Sequence, residues 1–148
     1  MIVSDLMTEN VIALQQEEDL SIASDLMSEN GIRHLPVIDS TGELLGLISH
    51  RDLVKVAYTT ADYLPLSDLN QLLRKTKVKE IMVREIETVS PDTEIEEAGT
   101  IIMENKLGCI PVCDGTHLVG ILTESDFVRY VVCMERELSK EPISFRRY

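Results

Sequence analysis

Gly31-Ile32-Arg33-His34-Leu35-Pro36-Val37-Ile38-Asp39, followed after a turn by Gly46-Leu47-Ile48-Ser49-His50-Arg51-Asp52-Leu53, decides how the chain is organised, because the whole pattern returns. The second copy reads Leu107-Gly108-Cys109-Ile110-Pro111-Val112-Cys113-Asp114 and then Gly120-Ile121-Leu122-Thr123-Glu124-Ser125-Asp126-Phe127. A shift of 75 residues takes Pro36 to Pro111; past the turn a shift of 74 takes Gly46 to Gly120. The lost residue lies where Asp39-Ser40-Thr41-Gly42-Glu43 faces Asp114-Gly115-Thr116-His117, a turn tip that tolerates such a change. Upstream, Val3 to Met7 matches Val78 to Met82, and Leu20, Ala23, Glu29 and Asn30 match Ile95, Ala98, Glu104 and Asn105.

Each copy carries the same element signals. A short opening segment leads to an extended piece, Val11 to Leu14 or Ile86 to Val89. A helix is predicted next, from Glu17-Glu18-Asp19 ahead of Leu20, Ala23, Leu26 and Met27, and from the capping sequence Ser90-Pro91-Asp92-Thr93 ahead of Ile95, Ala98, Ile101 and Ile102. Asn30-Gly31 reads as a left-handed C-cap. Leu35 to Ile38 and Leu44 to Ser49 then read as a hairpin around Asp39 and Gly42, and a second helix starts near Asp52. Pro36 implies an edge strand or a position whose amide no ladder needs.

The expected fold class is therefore α+β, two β-α-β-β-α repeats packed with pseudo-twofold symmetry, since a unit of about fifty residues cannot cover its own sheet. The boundaries expected are residues 1–56 for the first repeat, 57–77 for a linker, 78–138 for the second repeat and 139–148 for a tail. The linker is expected to carry a short helix, from Ser67-Asp68 ahead of Leu69, Leu72 and Leu73, with Pro65 marking the break before it. Its basic run, Arg74-Lys75-Thr76-Lys77-Val78-Lys79, is read as solvated rather than as a docking patch.

Composition narrows the function. Hydrophobic residues make up 44% of the 148 and charged residues 27%, ordinary for a globular domain. No apolar run reaches the roughly 18 residues of a membrane span, and Met1 to Asp5 lacks the marks of a signal peptide, so a cytoplasmic protein is expected. A net charge of −12 argues against binding a nucleic-acid backbone, though a few converging cations can still hold one small anion. Cys109, Cys113 and Cys133 lack metal-ligand spacing and read as small buried hydrophobes. No catalytic set, phosphate-binding loop or metal motif is present, and His34, His50 and His117 are scattered.

The chemistry concentrates in Ser49-His50-Arg51-Asp52 and Thr123-Glu124-Ser125-Asp126, a hydroxyl and a carboxylate three residues apart where a strand passes into a helix. One reading is a capping box. The other is a ligand site, because a carboxylate at a helix start can accept from both hydroxyls of a ribose while the hydroxyl and free amides face a phosphate. Gly46 and Gly120 recur three residues before the hydroxyl, which a cap alone does not explain. The copies differ in charge: Arg33, His34, His50 and Arg51 stand where the second has Gly108, Cys109, Glu124 and Ser125. Arg33 and Arg51 offer planar donors for phosphate and His34 a pH-dependent one; equally, Arg33 reads as a strand-end surface residue and His34 as packed against the turn.

The duplicated hydrophobic-Pro-Val-hydrophobic stretch, turn, and Gly-hydrophobic-hydrophobic-Ser/Thr-x-x-Asp resembles a tandem pair of cystathionine β-synthase (CBS) domains, the Bateman module, of the stand-alone bacterial type. The resemblance implies a non-catalytic regulatory module that binds AMP, ADP, ATP or S-adenosylmethionine between its halves, with no required cofactor. It implies Asp52 and Asp126 as ribose acids beside Ser49 and Thr123, base contacts from Ile12-Ala13 and Glu87-Thr88, and an apolar slot from Leu35-Pro36 and Ile110-Pro111. With the cations weighed in, the first site comprises Ile12, Ala13, Arg33, His34, Leu35, Pro36, Ser49, Arg51 and Asp52. A weaker second site comprises Glu87, Thr88, Gly108, Cys109, Ile110, Pro111, Thr123 and Asp126.

Phe127, Tyr130, Val131, Met134 and Leu138 share one helical face, with Val128 and Val132 beside it, a stripe wider than one side of packing needs. It suggests a homodimer or an unknown protein partner, and it supports a rival function, a ligand-free interaction scaffold. Phe145-Arg146-Arg147-Tyr148 reads as a frayed tail.

Overall fold

Asp19 fixes the start of the first helix: its Oδ1 accepts from the amides of Ser21 at 2.9 Å and Ile22 at 3.4 Å, two of the donors a helix leaves unpaired. That helix, α1 (Leu20–Asn30), turns Leu20, Ala23 and Met27 inward and ends at Gly31, whose φ of 62° is the left-handed cap glycine allows. β1 (Leu14–Gln15) precedes it; β2 (His34–Ile38) and β3 (Leu44–Ser49) follow, then α2 (His50–Thr60). Asp39 ties the hairpin turn, accepting from the amides of Thr41 at 2.9 Å and Glu43 at 3.0 Å. In this computed structural model residues 1–60 and 66–139 are described; the break at Pro65 and all but the first residue of the 139–148 tail lie outside them.

α3 (Leu66–Lys75) packs on α1 and sends Leu73 to the first core. The second half repeats the plan with α4 (Val78–Ile81), α5 (Ile95–Glu104), β4 (Cys109–Asp114), β5 (His117–Thr123) and α6 (Glu124–Ser139). The extended pieces are shorter than expected: β1 is two residues paired parallel to Val37 and Ile38, and its counterpart is the single parallel bridge of Val89 to Val112. Pro111 shows why proline fits: its carbonyl accepts from Val89 at 3.2 Å, and its amide position faces the same edge just before pairing begins. The predicted Ser90-to-Thr93 cap is instead a turn, with Thr93 Oγ1 accepting from the Ser90 amide at 3.1 Å; the N-cap residue is Glu94, without a side-chain bond.

The opening segments are exchanged between halves. Val3 and Ser4 donate to Thr93 and Pro91 at 2.8 and 2.9 Å, and Val78 and Lys79 donate to Glu18 and Gln16 at 2.8 and 3.0 Å. Thr8 bridges Ile121 on β5, and Val83 bridges Leu47 on β3. The pseudo-twofold relation is thus visible bond by bond. Val78 and Met82 lie in a core with Leu14, Leu20, Leu35, Val37 and Ile48, and Val3 lies in a second core with Val89, Ile102, Ile110, Val112 and Leu122.

This exchange accounts for the paired glycines. A Cβ on Gly46 would stand 2.6 Å from Met82 Sδ and 3.1 Å from the Val83 carbonyl; on Gly120 it would stand 2.5 Å from Met7 Sδ and 3.2 Å from the Thr8 carbonyl. Gly46→Ala should therefore push the crossed strand off β3 and lower stability by about 1–3 kcal/mol in chemical denaturation, with a parallel loss for Gly120→Ala. The basic run is not simply solvated: Lys77 and Lys79 both reach Glu17 at 2.6 Å, the Lys77 bond above all holding its carboxyl down at about 2. The cysteine reading needs one correction, since Cys109 and Cys113 are buried but Cys133 is exposed on α6.

Candidate functional site

Both hydroxyl-carboxylate motifs stand at a strand-to-helix junction and both form the cap. Asp52 Oδ2 accepts from the Ser49 amide at 2.8 Å and Ser49 Oγ at 2.9 Å, and that hydroxyl accepts from the Asp52 amide at 3.3 Å. Asp126 Oδ2 accepts from the Thr123 amide at 2.8 Å and Thr123 Oγ1 at 3.0 Å. The capping reading is therefore correct for both carboxylates, and the reciprocal bond to the hydroxyl is made at Ser49.

The other carboxylate oxygens differ. Asp126 is 2% exposed, and its Oδ1 accepts from Arg129 Nη1 at 3.0 Å. Asp52 is half-buried, and its Oδ1 accepts no hydrogen bond from any described residue. One carboxylate is satisfied within the protein, and the other keeps acceptor capacity. Arg129 is the site residue that the sequence reading missed; the signal was an acid–base pair three apart on a helix, with Lys55 at the matching place in the first half.

Around Asp52 the first half gathers cations. The His50 amide donates to the Arg33 carbonyl at 2.8 Å, which pins Arg33 beside the first turn of α2, where Arg51 is exposed. The mirror bond runs from the Glu124 amide to the Gly108 carbonyl at 3.3 Å, with a glycine and an acid in place of the two basic residues. His34 joins the halves: a Cβ on Gly108 would stand 2.7 Å from its Cε1 and Nε2, so that edge of the imidazole fills the space where a side chain is missing. Burial lowers its pKa first of all; Glu124 and Asp52 oppose that shift, while Arg33 and Arg51 add to it. Charged groups from the starts of both α2 and α6 thus act on this one ring.

A half-buried imidazole that resists protonation makes stability pH-dependent. Its contribution is complete above the ordinary value of 6.5 and is lost as pH falls from there through the lowered folded value. His34→Gln should flatten the fall in urea midpoint expected of the native chain as pH drops below 6.5.

Other residues expected at the sites are placed as follows. Ile12 and Ala13 are half-buried in irregular chain just before β1, and Glu87 and Thr88 are exposed before Val89. Leu35, Pro36, Ile110 and Pro111 are buried, Leu35 and Ile110 within the two cores. They are walls of the fold before they are walls of a slot. Cys109 is buried, and desolvation pushes its thiol up to about 12, so it is not a nucleophile at neutral pH. A shallow hollow of about 370 Å³ lies elsewhere, along α5 against Glu94, Glu96, Glu97, Thr100 and Ile101, and its three carboxylates disfavour an anion. No group of metal-ligating side chains occurs among the described residues, and no helix there is long and apolar enough to cross a membrane.

Comparison with known proteins identifies the family and the fold. The chain is 30% identical to a CBS domain-containing protein of Dictyostelium discoideum, over 89% of this chain and 92% of that one. It is 28% identical to protein MJ1426 of Methanocaldococcus jannaschii, with the same coverages. Homoserine O-acetyltransferase of Methanosarcina acetivorans is matched at 30% identity by 83% of this chain but over only 20% of the enzyme. Among solved structures, CBSX2 in complex with AMP superposes with a TM-score of 0.76 at 28% identity, covering 91% of this chain and 98% of that one. A candidate acetoin utilization protein (AcuB) from Vibrio cholerae superposes with a TM-score of 0.80 at 31% identity, covering 96% and 98%. The CBS domain model matches twice, at residues 3–58 and 78–133, and the chain belongs to the CBS domain family as a pair of such domains.

Proposed function

We propose that this CBS pair is a non-catalytic regulatory module that binds an adenosine nucleotide of the AMP kind at its first half. Asp52 Oδ1 accepts from the ribose hydroxyls, Ser49 keeps the carboxylate oriented, and Arg33 and Arg51 face the phosphate, with His34 beside them. The backbone at Ile12 and Ala13 borders the base. The observation that carries this reading is an Asp52 oxygen that no described residue bonds, next to two arginines, in a chain whose net charge is −12. The AMP held by CBSX2 supports the same ligand class.

A module of this kind acts in the cytoplasm by changing its grip on a second copy or a partner when the site fills. A second reading, a ligand-free scaffold, has its own support on α6, where Val128, Val131, Met134 and Leu138 are exposed at 63, 58, 39 and 74%. Thermal unfolding with and without AMP separates the two. At about 100 times the dissociation constant, a binding module gains about 2.7 kcal/mol and its melting temperature rises, whereas a scaffold is unmoved.

A further inference from the structure

The two halves repeat each other down to single backbone bonds, so one carboxylate with a second partner, beside one that has none among the described residues, is a departure from symmetry at the centre of the motif. Asp126 Oδ1 is held by Arg129 at 3.0 Å, and the acid's side chain is 3% exposed while the arginine's is 68% exposed. The guanidinium thus bonds a buried carboxylate while most of the arginine side chain stays exposed. We propose that Arg129 closes the second half to ligand by occupying the carboxylate oxygen that a ribose would need. Deepening the adenosine reading of the first half, on which it rests, this makes the pair a one-ligand receptor whose second motif serves the fold.

Three facts on the same element agree. Thr123 donates its amide and its hydroxyl to Asp126 Oδ2, which holds β5 to α6, so both oxygens of that carboxylate are engaged while Arg129 stays in place. The helix start bears Glu124 and Ser125 where the first half has His50 and Arg51, so a phosphate there would meet a carboxylate. Arg129 leaves the helix three residues after Asp126, on the spacing at which an acid and a base meet without rearrangement. A sugar entering this half must displace a charge-assisted bond before making its own, and such a bond sets affinity back by about ten- to hundredfold.

The test uses adenosine, which has no phosphate and is therefore indifferent to the sign of Glu124. Calorimetric titration of the native chain should give about one adenosine per chain, and Arg129→Ala and Arg129→Met should each give about two, the added site binding about ten- to hundredfold tighter than any native binding there. Because Arg129 is mostly exposed, neither variant opens a cavity in the core; Asp126 keeps its two bonds from Thr123, and Arg129→Met also keeps the apolar stem. Amide spectra should show adenosine moving Thr123 and Asp126 in the variants but not in the native chain. The proposal is overturned if neither variant gains a site, or if native Thr123 and Asp126 already respond to adenosine. A native chain that binds no adenosine at Asp52, with a gain in both variants, would instead refute the first-half reading and leave Arg129's role standing.

Discussion

Val3→Asp is expected to unfold the second half of the chain while Val78→Asp unfolds the first, each change acting on the half in which it does not lie in sequence. Val3 is fully buried among Val89, Ile110, Val112 and Leu122, and Val78 among Leu14, Leu20, Leu35 and Ile48. A carboxylate in either place has no partner, and an uncompensated buried charge costs about 3–5 kcal/mol, a large part of the roughly 5–15 kcal/mol that holds a domain of this size. Hydrogen exchange resolved by residue gives the answer. Val3→Asp should strip protection from α5, β4 and β5 first; loss beginning in α1, β2 and β3 would show that the opening segments are not exchanged in solution.

The second large effect falls on binding. Removing Asp52 as Asp52→Ala deletes the only ribose acceptor proposed for the first half, and loss of a charge-assisted bond weakens AMP by about ten- to hundredfold. It also removes the acid of the Ser49 cap, at about 1 kcal/mol of stability, so calorimetry is run well below the melting transition. Asp126→Ala forfeits the equivalent cap and the Arg129 pair but should leave AMP affinity within about twofold. If Asp126→Ala is the damaging change, the ranking of the two halves is reversed.

Much of this architecture could be read in advance because it is written twice. The 75-residue shift from Pro36 to Pro111 fixed the equivalence of the halves, and Asp19, Gly31 and Asp39 gave their helix and turn boundaries through bonds made within a few residues. What escaped was long-range. Nothing local in Val3-Ser4-Asp5-Leu6-Met7 says that it crosses to β5, since the same apolar pattern serves either core. For that reason Gly46 and Gly120 looked like ligand glycines, whereas they make room for Met82 and Met7. Cys133 was misplaced because an apolar stripe on α6 does not reveal which side the protein covers, and the structure leaves Val128, Val131 and Leu138 open beside it. At the motif, the capping box was legible from spacing alone, but the difference between Asp52 and Asp126 depends on one arginine rotamer.

That difference is also where the functional account is most exposed. An amide spectrum of the native chain titrated with AMP reports on both helix starts and on the apolar face of α6 at once. The account predicts that shifts gather on Ile12, Ala13, Arg33, His34 and the run from Ser49 to Leu53, with Thr123 to Asp126 nearly still. Shifts confined to α6 between Val128 and Leu138, or none at saturating AMP, would contradict it.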